Sequence, residues 1–184
     1  MSTTIYTVGH STRPGDEFIA LLARFDIELL ADIRTVPKSR HNPQFQSDQL
    51  AASLPAAGIE YRHLAGLGGL RKPVKNSPNA GWRNMSFRGY ADYMNTRQFD
   101  TALTELIALS ADRVTAIMCA EAVFWRCHRA LVADALLLRG IDVVHIMGAG
   151  TLTPAKLTSF AVADGLRIVY PPTDQDPEVG TGEA

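Results

Sequence analysis

The sequence predicts an α/β domain with a mainly parallel sheet between helical layers, and three observations lead there. Segments of strand character alternate with segments of helical periodicity along most of the chain. Val114 to Met118 is a short apolar run, the kind that forms a strand buried on both faces, as strands of parallel sheets are. The 184 residues, 46% hydrophobic and 20% charged, suffice for one core without disulfide or metal staples. Together these describe a single-domain, Rossmann-like three-layer fold over residues 1–170, with 171–184 as a disordered acidic tail.

Thr4 to Gly9 alternates as a strand and ends at Gly9-His10-Ser11. A helix follows, with Ser11 or Thr12 as its cap, Pro14 in its first turn, and Phe18, Leu21, Leu22 and Phe25 as its buried stripe. Glu28 to Ile33 is the second strand, with Asp32 and Arg34 at its exit. After a polar loop from Thr35 to Gln46, Ser47 caps a short helix that Pro55 stops or kinks. Ile59 to Leu64 alternates like a strand. The irregular stretch from Ala65 to Met85 is longer than a usual connection, which leaves a binding loop or lid, or a floppy insertion. Arg88 to Asn95 reads as a short helix, and Arg97 to Ser110 as a clear one. The buried strand comes next, and Cys127-His128-Arg129 opens a helical pattern that Gly140 ends. Ile141 to Met147 is a strand, Pro154 to Ala163 a helix, and Leu166 to Tyr170 a last short strand.

If these strands run parallel, then His10, Asp32, Arg34, His63, Cys119, Glu121 and Cys127 all emerge at one sheet edge, where open α/β sheets bind ligands. Cys127 is the candidate nucleophile. A thiol in a helix's first turn, beside Arg126, His128 and Arg129, is biased toward thiolate, whereas the plain alternative is an inert core cysteine. Cys119, closing an apolar strand, reads as structural. Glu121 and Asp32 are acid–base candidates or else ion-pair partners of Arg129 and Arg34, and His10 is a base, a phosphate contact or a packing residue. Arg34, Arg40, Arg129 and Ser11 are the candidate anion-binding residues, and His145, inside a strand, is a hydrogen-bonded core residue. Cys119, Cys127 and His128, with His10 or His145, are possible soft-metal ligands. Their spacing fits no common zinc knuckle, however, and adjacent Cys-His side chains often diverge, so neither metal nor cofactor is expected.

The net charge of −1 points to neither nucleic acid nor membrane. Charge is nevertheless uneven, with ten Lys/Arg against three Asp/Glu from Arg34 to Arg97. Arg62, Arg71, Lys72, Lys75, Arg83 and Arg88 lie there among Phe45, Tyr61, Trp82, Phe87 and Tyr90, a mixture that suits single-stranded nucleic acid or an ordinary solvated surface. No run reaches the ~18 apolar residues of a membrane span, and the N-terminal stretch lacks a signal-peptide pattern. The cytoplasm is the expected location, with both thiols reduced.

Tyr6-Thr-Val-Gly-His-Ser11, Asp32-Ile-Arg34 with Pro37 and Ser39-Arg40, Pro43-Gln-Phe45, Leu67-Gly-Gly69, Cys119-Ala-Glu121, Cys127-His-Arg129 and His145-Ile146 occur in one order. In that order they resemble the domain of unknown function 488 family. The resemblance implies a compact α/β domain of bacterial and archaeal cytoplasm and no particular activity.

The residues themselves support three function classes. The first is an enzyme acting on a phosphate-bearing small molecule, nucleotide or nucleic acid. There Arg34, Arg40 and Arg129 hold the anion, and Cys127 or Glu121 works with His10. The five-residue, arginine-bearing loop of cysteine phosphatases is absent, since six residues separate Cys119 from Arg126. The second is a non-catalytic nucleic-acid-binding module built on the basic 34–97 region. The third is a regulatory protein clipped by its thiol pair or by a metal.

Overall fold

Successive side chains along the strands point to opposite faces of the sheet, and this divides the core into two layers. The computed structural model describes residues 3–173. Its main sheet comprises β1 (Thr4–Gly9), β2 (Leu29–Asp32), β3 (Glu60–His63), β4 (Thr115–Cys119), β5 (Asp142–Gly148) and β6 (Thr151–Pro154), in the order β3-β2-β4-β1-β5-β6. The first five run parallel, and β6 pairs antiparallel with β5. All of β4 is buried. Ala116 and Met118 pack against Phe18, Leu21 and Leu22 of α1 (Gly15–Arg24) and Leu50 of α2 (Ser47–Ser53). Ile117 and Cys119 point the other way. They join Tyr90 of α3 (Met85–Tyr93), Phe99 and Leu103 of α4 (Arg97–Leu109), and Leu131 and Leu136 of α5 (Arg129–Leu137). The result is the expected three-layer α/β fold with a mostly parallel sheet.

This topology positions the site. From β1 the chain runs through α1 to β2 on one side of the sheet, and from β4 it runs through α5 to β5 on the other. Because β1 and β4 are neighbours in register from Ile5–Thr115 to Gly9–Cys119, their loops part in opposite directions. That divergence opens a crevice at the carboxyl edge, as at other switch points of open α/β sheets. Strand-like pairing persists into it, with His10 N–H donating to Cys119 O and Ser11 N–H to Ala120 O, both at 2.9 Å.

Several local expectations are corrected. Neither Ser11 nor Thr12 caps α1. Pro14 occupies the cap position with no side-chain bond, because Ser11 takes a left-handed backbone (φ 52°) and turns the chain away first. Ser47 is the first residue of α2 rather than its cap, and the helix passes into a 3-10 turn, Leu54–Ala57, at Pro55. The helix expected over Pro154 to Ala163 does not form. Thr151–Pro154 instead completes the open edge of β5, and β7 (Val162–Asp164) pairs with β8 (Arg167–Val169) in a separate hairpin. Between them, Thr158 donates its N–H (2.9 Å) and hydroxyl (2.6 Å) to buried Asp134 of α5, bonds that hold this connection outside any helix.

The expected 65–85 stretch forms one 3-10 turn, Ala65–Leu67, and is otherwise irregular up to Met85, where α3 begins. It is anchored by Asn79, which donates to Asp92 Oδ1 (2.7 Å) and accepts from Tyr170 N–H (2.9 Å). Residues 174–184 of the acidic tail lie outside the described residues. Among the described residues no helix is long and apolar enough to cross a membrane.

Candidate functional site: a thiol–imidazole cluster in a cationic cleft

A cleft of about 710 Å³ opens at the β1/β4 crevice. His10 and Ser11 from the β1 loop, Arg34 and Lys38 from the β2 loop, and Cys119, Glu121, Arg126, Cys127 and His128 from the β4 loop all contribute to its lining. Among the described lining residues Arg34, Lys38 and Arg126 are cationic side chains, and Glu121 is the one carboxylate. The cleft therefore favours an anion.

Arg34 is held by a buried fork. Its Nε donates to Asp32 Oδ1 at 2.9 Å and its Nη2 to Asp32 Oδ2 at 2.6 Å and to Phe45 O at 2.7 Å. Asp32, fully buried, also accepts from the Arg34 N–H (3.0 Å) and the Tyr61 hydroxyl (2.7 Å). With four donors on it and no place in the cleft wall, Asp32 anchors Arg34. Burial opposes the Arg34 charge, but the Asp32 carboxylate outweighs it, and the guanidinium is held even more firmly protonated. His10 lies flat on Phe45, ring centroids 4.2 Å apart. Its Nδ1 is 2.8 Å from Ser11 O, a pure acceptor, so Nδ1 carries the proton and Nε2 faces Arg34 Nη1 at 3.3 Å. Burial pushes the His10 pKa down against the pull of the Ser11 carbonyl, and Arg34 adds to the lowering, so the ring is a neutral base. His63 does not reach the cleft wall. Its Nε2 donates to Arg34 O at 2.8 Å.

The cleft floor carries both thiols. Cys119 Sγ and Cys127 Sγ lie 3.9 and 3.7 Å from His128 Nδ1. His128 Nε2 is 3.0 Å from Ile33 O, so Nε2 carries a proton, and Nδ1 is turned to the sulfurs. Two glycines make room for this arrangement. A Cβ on Gly69 would stand 2.5 Å from His128 Nδ1, and one on Gly9 would stand 1.8 Å from Glu121 O and 2.7 Å from Arg129 Nη1.

The structure gives the two thiols surroundings that differ from the sequence expectation. Cys127 is not in the first turn of α5. It has an extended backbone, φ −136° and ψ 144°, with His128 at the cap position before Arg129. Burial, then the neighbouring Cys119, pushes the Cys127 thiol well up. Cys119 is held down to about 4. The Cys127 thiol bonded to it is the leading cause, burial opposes, and His128 and the Glu121 N–H add to the lowering. The sequence offers His128 only as a possible soft-metal ligand, and Leu67-Gly68-Gly69 is the further signal for its place beside the thiols. The expected divergence of Cys127 and His128 is also overturned, because the extended backbone at Cys127 lets both side chains reach one point.

Arg129 and Glu121 form no ion pair among the described residues. Arg129 is 1% exposed, donates through Nη2 to Ala122 O at 3.1 Å, and has no partner at Nε or Nη1 among the described residues. Burial lowers its pKa, and the two sulfurs pull it back. It lies beneath the cleft rather than in its wall, and Arg40 is exposed away from it. His145 accepts from or donates to Thr7 Oγ1 at 2.7 Å and stacks on Phe124 at 3.8 Å. Part of the basic 34–97 region is committed to partners within the chain. Arg62 pairs with Glu60, Arg71 covers the Tyr93 ring at 3.6 Å, and Arg88 donates to Trp82 O, while Phe45 and Tyr90 are fully buried.

Neither the curated proteins nor the solved structures contain a match to the chain. The sequence profile of the DUF488 family, a domain of unknown function, matches residues 15–136, about two thirds of the chain, including Arg34, Cys119, Cys127, His128 and Arg129. The chain belongs to the DUF488 family.

Proposed function

We propose that the chain is an enzyme acting on a phosphate-bearing substrate of the nucleotide type, with Cys119 rather than Cys127 as its nucleophile. The observation that carries this reading is the Cys119–Cys127–His128 cluster on the floor of a cleft whose charged lining is three cations and one carboxylate. Arg34, Lys38 and Arg126 hold the phosphoryl oxygens, with Ser11 as a hydroxyl donor. Arg129, buried below, acts on the sulfurs through its charge. Cys119 Sγ attacks phosphorus, and an S–P bond forms as the P–O bond to the leaving alcohol breaks. The departing alkoxide takes a proton from a water that the Glu121 carboxylate orients. The hydroxide so formed attacks phosphorus, and the S–P bond breaks to release phosphate and return the thiolate. His10 positions Arg34 through its unprotonated Nε2.

Iodoacetamide labelling of chelator-treated native protein at pH 7, read by peptide mass, tests this. Cys119 is expected to react ahead of Cys127, and millimolar inorganic phosphate is expected to slow it. Lys38→Ala/Arg126→Ala should abolish that protection. Faster labelling of Cys127, or labelling indifferent to phosphate, overturns the assignment.

A further inference from the structure

The three donors on the cleft floor have a second capacity that is independent of any reaction with substrate. Cys119 Sγ, Cys127 Sγ and His128 Nδ1 all lie within 4.8 Å of one another. A cation with sulfur at about 2.3 Å and nitrogen at about 2.05 Å requires S···N edges of about 3.6 Å in a tetrahedral site and about 3.8 Å in a trigonal one. The observed edges are 3.7 and 3.9 Å. Both sulfur–nitrogen edges are thus already at coordination spacing, although no motif in the sequence announces it.

The surroundings support the same use. A metal-bound histidine usually donates its other ring N–H to a carbonyl or carboxylate, which fixes the tautomer and aims the free nitrogen. His128 does this, with Nε2 on Ile33 O at 3.0 Å. Its ring is further set by Tyr90, at 5.0 Å between centroids, and by Gly69, whose side a Cβ would close. His10 and His145 are not fourth ligands. His10 is engaged with Ser11 and Arg34, and His145 with Thr7. The fourth side faces the cleft, since all three donors line it. Behind them the buried Arg129 guanidinium, with Nε and Nη1 lacking partners among the described residues, offsets the negative charge of a dithiolate.

We propose that Cys119, Cys127 and His128 form a three-ligand site for a thiolate-preferring d10 cation, Zn²⁺ or Cu⁺, with its open position toward the cleft. Zn²⁺ completes four-coordination with an anion or water from the cleft, whereas Cu⁺ is satisfied by the three donors. Because the cation occupies the same sulfurs, it silences Cys119 as a nucleophile. The metal-bound and thiol-reactive states exclude each other.

The experiment uses the full chain, reduced and freed of metal by chelator. Zn²⁺ and Cu⁺ are titrated separately against chromogenic competitors, and Co²⁺ serves as a spectroscopic probe. One equivalent should bind, with sulfur-to-cobalt charge transfer in the near ultraviolet, and iodoacetamide labelling of both cysteines should be suppressed. X-ray absorption of the loaded wild type should give two sulfur ligands and one imidazole, a readout that needs no variant. Cys127→Ser and His128→Gln should each weaken binding at least tenfold, with His145→Gln unchanged. Which ion gives the tighter stoichiometric complex decides between zinc and copper. Absence of a charge-transfer band, or wild-type affinity in Cys127→Ser, overturns the site. Neither result bears on whether the metal-free protein labels at Cys119, so failure here is separable from failure of the enzymatic reading.

Discussion

Replacing Arg34 with methionine isolates the largest electrostatic commitment at the cleft. The substitution removes the two forked bonds to Asp32 and the bond to Phe45 O, and it leaves Asp32 with only the Tyr61 hydroxyl and the residue-34 backbone N–H. The Arg34 and Asp32 side chains are 7% and 0% exposed, so solvent cannot replace what is lost. Breaking one partner of a buried pair costs about 3–5 kcal/mol, because a desolvated charge is left behind. For a chain of this size that corresponds to a fall in Tm of roughly 6–20 °C. Urea and thermal unfolding measure it directly. Asp32→Asn/Arg34→Met removes the stranded charge and should recover more than half of the loss, whereas Asp32→Asn alone should be destabilising. A loss below about 1 kcal/mol in Arg34→Met, or no recovery in the double variant, would show that the fork does not hold the loop.

Two further outcomes follow from the same neighbourhood. Gly9→Ala places a Cβ 1.8 Å from the Glu121 carbonyl, so the loop after β4 must retreat by about 1 Å or more; overpacking of this kind costs roughly 1–3 kcal/mol, and Cys119 labelling should change in parallel with Tm. His145 is held neutral by burial, with Arg129 adding to the effect, and its pKa is lowered to about 4 from an ordinary 6.5. Across that window the unfolded chain takes up this proton and the native chain does not, so stability is lost as pH falls from about 6.5 toward 4. Urea unfolding at pH 7, 5.5 and 4.5 should therefore show a shallower acid loss in His145→Gln than in wild type, and equal slopes would refute the assignment.

The parallel strands were legible because their patterns are local. Val114 to Met118 reads as doubly buried from its composition alone, and Thr4–Gly9 emerges at its expected bounds. The 154–163 segment was misread because its order comes from distant partners, namely the free edge of β5 and the Asp134 carboxylate, neither of which leaves a periodic mark on the segment itself. Cleft membership was legible for His10, Ser11, Arg34, Glu121 and Cys127, since strand ends in a parallel sheet must converge. Asp32 shares that edge but faces Arg34 instead of the opening. Adjacency in sequence gave no way to distinguish those two outcomes.

The difference between the expected and observed surroundings of the two cysteines has the same origin. Beside Arg126, His128 and Arg129 in sequence, Cys127 has the more cationic neighbourhood, and that makes it look like the thiolate. In space Arg126 is exposed, Cys127 is 3% exposed, and the helix that would have activated it begins two residues later. Cys119 ends a strand that desolvation would keep protonated, yet it gains a thiol donor, an imidazole and the Glu121 N–H from the loop that folds back over it. That return is possible only because Gly9, paired in register with Cys119 on the adjacent strand, leaves space for the Glu121 carbonyl and the Arg129 guanidinium. Gly69 does the same for the imidazole. The chemistry of the floor thus depends on two side chains that are missing, and a glycine at a strand end was its clearest trace in the sequence.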